Sequence, residues 1–138
     1  MNETIQGYAT PAILLSDVQE EHAFNSHDGV QLRSYAELAH HLVTMSDDAY
    51  THHVSTGRND FHNWVRDVHG DHHLAQKLKE SGTRGEMHHH VMGRIHQLNA
   101  IDEKNKVHER LAKVRHNMPE YLVGAFVGLV VGLLIGAI

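Results

Sequence analysis

The last eighteen residues, Tyr121 to Ile138, read YLVGAFVGLVVGLLIGAI and carry no charge. A stretch this apolar is driven out of water, and that limits what the rest of the chain can be. As a helix rising 1.5 Å per residue it covers roughly 27 Å, close to the hydrocarbon thickness of a bilayer. The spacing predicts one membrane-crossing helix at 121–138, with the chain finishing near the far membrane surface. Met118-Pro119-Glu120 marks its entry, because proline is tolerated in a first helical turn. A soluble alternative packs copies of the tail into an apolar bundle or tube.

Gly124, Gly128, Gly132 and Gly136 recur every fourth residue of this tail. Each step advances about 40° around a helix, so the glycines line a slowly winding groove. Such a groove lets two backbones approach closely in lipid, which predicts self-association of the tail.

Charge is unevenly placed along the chain, whose formal total is −5 with histidines neutral. Residues 1–57 hold eight carboxylates against Arg33 alone, and residues 58–120 hold eleven Lys/Arg against nine Asp/Glu. Lys104, Lys106, Arg110, Lys113 and Arg115 gather just before the tail. A short basic cluster there is no broad face for a nucleic-acid duplex, so nucleic acid is excluded as a partner. Beside a membrane helix it predicts that the preceding residues stay in the cytoplasm, at the cytoplasmic membrane. The opening MNETIQGYATPAILL has Glu3 and no Lys or Arg, so no signal peptide is expected. With no cysteine, disulfides, thiolate catalysis and iron–sulfur clusters are excluded.

The remaining chain reads as mainly all-α: a multi-helix domain with a small N-terminal hairpin, a stalk helix and the hydrophobic helix. We place the segments at 1–33, 34–102, 103–120 and 121–138. Asp28-Gly29 is a turn-forming pair inside the first. Ser34 and Glu37 form a capping box, followed by Leu38, Leu42 and Met45 on one face. Ser46 is positioned to cap a second helix to about Val54, and Asn59 or Asp60 a third after a break at Ser55-Thr56-Gly57. Phe61, Trp64, Val65 and Val68 make an amphipathic stripe. Gly70 ends that helix and Asp71 opens the next, with Leu74, Ala75 and Leu78 inward. Thr83 and Glu86 form a second capping box; Met87, Val91, Ile95 and Leu98 share one side, and Val107, Leu111 and Val114 continue helical spacing toward the tail.

The run from Arg33 through Leu78 resembles a prokaryotic helical domain family of unknown function. The likeness rests on Glu37, Leu38, Leu42, His53, Val54, Asn59, Asp60, Phe61, Trp64, Val65, Asp67, Val68, Gly70, Asp71, Leu74 and Ala75. It covers roughly the central third to half of the chain and implies a fold without a catalytic activity. The segment KVRHNMPEYLVGAFVGLVVGLLIGAI is similar to the glycine-rich anchors of small bacterial inner-membrane proteins.

Sixteen histidines admit three readings. The first is metal binding: His69 and His73 share a face if Gly70 leaves the helix intact, and His88, His89 and His90 form a triplet. The pattern demands no cofactor, but imidazoles suit a divalent transition metal such as zinc, nickel or copper. Glu37 with His40 and Glu86 with His89 even repeat a di-iron spacing, yet both glutamates are already explained as helix caps. The second is a pH switch, since protonating all sixteen takes the formal charge from −5 to +11. The third is polar surface, because adjacent pairs such as His40-His41 point about 100° apart on a helix. His53 is expected to be hydrogen-bonded and partly buried, and Asp67 and Asp71 to serve as caps and surface ion pairs.

No nucleophile elbow, phosphate loop or zinc-protease motif occurs in the sequence. The expectation is a non-enzymatic, membrane-anchored, homo-oligomeric scaffold or accessory subunit. Its partners are membrane lipid, further copies of the chain and another protein. The alternatives are a metal-binding or metal-buffering protein, and an oligomer whose apolar tails form a lipid or quinone conduit for a bound enzyme.

Overall fold

Local capping decides where nearly every helix begins. The computed structural model describes residues 9–117. These divide into two units, one ending at Asp102 and one starting at Glu103. The expected membrane helix, with Gly124, Gly128, Gly132 and Gly136, lies outside the described residues. Among the described residues, no helix is long and apolar enough to cross a membrane.

The fold is mainly α. Helix α1 spans Pro11–Leu15, α2 Tyr35–Thr44, α3 Asp47–His53, α4 Asp60–Asp67, α5 His72–Glu80 and α6 Arg84–Asn117. Hairpin strands β1 (Phe24–Asn25) and β2 (Gln31–Leu32) pair antiparallel, as do β3 (Val54–Ser55) and β4 (Arg58–Asn59). Ser34, Ser46, Asn59 and Asp71 cap α2 to α5, each side chain accepting a main-chain N–H three residues on. In both capping boxes the glutamate reaches one residue further back than expected. Glu37 accepts the N–H of Arg33 at 2.6 Å, and Glu86 accepts that of Gly82 at 2.7 Å.

Three elements go beyond the sequence reading. Helix α1 is only five residues long, begun by the Thr10 cap and Pro11 at its first turn. A 3₁₀ turn follows at Glu20–His22. The Ser55-Thr56-Gly57 break is the tip of the β3–β4 hairpin, where Gly57 supplies φ +80°. Elements this short leave no countable periodicity.

Within the first unit these elements surround one apolar core. Leu32, Tyr35, Leu38 and Leu42 meet Phe61, Val65, Leu74 and Leu78, and α6 adds Met87, Val91 and Leu98. Leu14 and Phe24 join the same cluster, so the N-terminal segment and first hairpin are part of this core. Phe24 stacks on Phe61 with ring centroids 4.9 Å apart and meets the edge of Trp64 at 5.9 Å. The Trp64 indole N–H donates to the His22 carbonyl at 2.9 Å, pinning the chain before β1 to α4.

The second unit, within the described residues, is the distal part of α6. Val107, Leu111 and Val114 lie 49%, 61% and 58% exposed there.

Candidate functional site

Two histidine-centred arrangements organise the first unit. The first fastens the β1–β2 hairpin. The main-chain N–H of His27 donates to Nε2 of His53 at 2.9 Å. Because Nε2 accepts, Nδ1 carries the proton and donates to Asp60 Oδ2 at 3.0 Å. The Arg58 guanidinium on the same carboxylate, with His53 behind it, holds the Asp60 carboxyl below its usual range. His53 is thus buried and hydrogen-bonded. His41, also buried, bonds Ser26 Oγ at 2.8 Å and lies 3.4 Å from Asp28. The rings of His27 and His52 stack at 4.0 Å.

The second arrangement surrounds Asp71. This residue caps α5, accepting Leu74 N–H at 3.0 Å. It is not a surface ion pair, because its carboxylate is 1% exposed. Arg94 Nε donates to Oδ2 at 2.7 Å, and the Tyr35 hydroxyl donates to the same oxygen at 3.3 Å. A buried carboxylate demands such compensation, and α6 supplies it from 23 residues away. Burial, followed by the Asp71 charge, pushes the Tyr35 hydroxyl far above its usual range. Asp67 does form the expected surface pair, with Arg66 at 2.6 Å.

Beside Asp71, the His69 ring sits 4.4 Å from Tyr35 and 4.6 Å from Trp64, nearly perpendicular to the indole. Its Nε2 is buried without a hydrogen-bond partner among the described residues. Burial pushes its pKa down to about 4, so the ring is neutral near pH 7. His62 is also fixed: Nδ1–H donates to the Ala75 carbonyl at 2.8 Å, leaving Nε2 to face Arg66 at 3.2 Å.

The candidate metal ligands separate into two places. Helix α4 ends at Asp67 and Gly70 takes φ +67° in the connection to α5, so His69 lies outside any helix and does not share a helical face with His73. His69 lies in the aromatic layer, and His73 is exposed on α5. His73 lines one groove with His89 and His90 of α6, whereas His88 does not. Among the described residues, no group of three or more His, Asp or Glu is arranged to hold a metal ion.

The basic residues Lys104, Lys106, Arg110, Lys113 and Arg115 all lie exposed on the distal part of α6. Lys106 stands 3.8 Å from Glu103. Lys77 and Arg94, which no sequence motif singles out, line the groove with the three histidines. Their signal was present as spacing: His73 and Lys77 are four apart on α5, and His90 and Arg94 are four apart on α6.

No protein-family model, curated protein or solved structure matches this chain.

Proposed function

We propose that this chain is a non-enzymatic scaffold, a helical head tethered to the cytoplasmic membrane by residues 121–138 and assembled through tail glycines. The carrying observation is the charge-free tail with its basic approach from Lys104 to Arg115. The exposed stripe of Val107, Leu111 and Val114 supports the same reading. These residues recur at i, i+4 and i+7, the seam along which parallel helices from neighbouring copies pack. The head then presents its surfaces to a protein partner at the bilayer.

Truncation after Met118 tests the tether. The shortened chain is expected to leave the membrane fraction and to lose oligomeric mass in light scattering. An unchanged membrane fraction would sink the proposal. Replacing Gly128 and Gly132 with leucine is expected to lower oligomer size while membrane insertion persists, because bulky side chains keep the backbones apart.

A further inference from the structure

We propose that the groove between α5 and α6 binds a phosphoryl oxyanion. Its wall is made by His73 and Lys77 of α5 and by His89, His90, Gly93 and Arg94 of α6, all within the first unit. Among the described residues no carboxylate lines it. That is unexpected in a chain whose formal charge is −5. The imidazoles of His73, His89 and His90 and the Lys77 ammonium make no hydrogen bond or ion pair with the described residues. The Lys77 ammonium has no carboxylate partner among the described residues, and a bound anion supplies the missing countercharge.

Arg94 gives the groove its directionality. Asp71 holds its Nε at 2.7 Å and Gln97 holds one terminal nitrogen at 2.8 Å. The other terminal nitrogen has no partner among the described residues, so a planar donor is oriented toward the groove before any ligand arrives. Asp71 does not compete for an anion's place, since Arg94, Tyr35 and the Leu74 N–H already occupy it. Above Gly93 there is open space: a Cβ there would meet nothing within 4 Å.

Size and charge select the ligand class. The groove holds about 240 Å³. Pockets for drug-sized ligands run from about 300 to 1,000 Å³, so a small tetrahedral group fits better than a nucleotide. A metal cation is disfavoured by Lys77 and Arg94 in the same wall. Charge-assisted donors around a small oxyanion describe phosphate, free or at the end of a lipid headgroup.

The test titrates inorganic phosphate into the full-length, untagged chain in detergent micelles, with histidine side chains labelled for NMR. Saturable movement of the His73, His89 and His90 ring signals is expected, with those of buried His41 and His53 unmoved. Lys77→Gln is expected to weaken binding about tenfold, the loss of one charge-assisted bond, and Lys77→Arg to restore most of it. Lys77 is exposed, so melting temperature should stay constant in both variants. A parallel titration uses vesicles of phosphatidylcholine with or without phosphatidic acid. Ring shifts with free phosphate alone support the site and assign a soluble phosphate, while shifts with phosphatidic acid also support it and assign a headgroup. No saturable shift in either arm, equal affinity in Lys77→Gln, or zinc ions occupying these rings in preference to phosphate would each overturn it.

Discussion

Helix α6 contains two apolar stripes that look alike in sequence and differ in surroundings. Met87, Val91 and Leu98 are 0%, 0% and 2% exposed, whereas Val107, Leu111 and Val114 are 49%, 61% and 58% exposed. Both follow helical spacing. The first stripe has α2 to α5 packed in the same cluster, and the second belongs to a unit whose described part is a single helix. Periodicity therefore announces that a face wants covering, and only a neighbouring element in the same chain or in another one answers it. Burial of apolar area stabilises at about 25 cal/mol per Å². The proximal stripe already contributes this, and the distal one contributes it only on association.

The contrast can be broken most strongly in the head. Phe61 is fully buried against Phe24 and His53, so Phe61→Ala should cost about 3–5 kcal/mol in urea unfolding of the head. Retention of wild-type stability would mean that Phe61 is not part of a shared core in the first unit.

Next in size is an acid dependence confined to the head. An unfolded histidine titrates near pH 6.5, while folded His69 does so at about 4. The unfolded chain binds the additional proton between these values. Stability from this group is therefore complete above about pH 6.5 and declines as pH falls toward 4, by up to about 3 kcal/mol. His69→Phe should flatten the unfolding free energy across that window, and a slope equal to wild type would refute the assignment.

Smaller again is the cap. Ser34→Ala removes the acceptor for the Glu37 N–H at 3.3 Å and should cost about 1 kcal/mol. Denaturation midpoints of the two proteins measure it.

The smallest effect sharpens the comparison. Leu111→Ser should change head stability by less than about 0.5 kcal/mol, because Leu111 is mostly exposed. The same variant should reduce oligomer mass in detergent, measured by light scattering, if the stripe packs against a second copy. Loss of head stability instead would place Leu111 in the first unit's core.

Much of the head was legible because its signals are local. Ser34, Ser46, Asn59 and Asp71 cap helices through bonds spanning three residues, and Asp28-Gly29 sits at the hairpin tip between β1 and β2. Phe61, Trp64 and Val65 pack where their spacing puts them. The β3–β4 hairpin and α1 escaped detection because two or five residues are too few to display a period. The environment of Asp71 was equally hidden. Its capping role needs only Leu74, but its burial depends on Tyr35 and Arg94, 36 and 23 residues away.

The amino-acid order alone determined the helical class of this chain, the starts of α2 to α6 and the greasiness of its last eighteen residues, since caps, periods and hydropathy act over a few positions. Tertiary packing decided which histidines are interior and which line the α5–α6 groove. It also left Asp71 sealed beneath Arg94 and the distal stripe bare. Those outcomes arise where one element approaches another, and burial, charge compensation and desolvation exist only once that approach has been made.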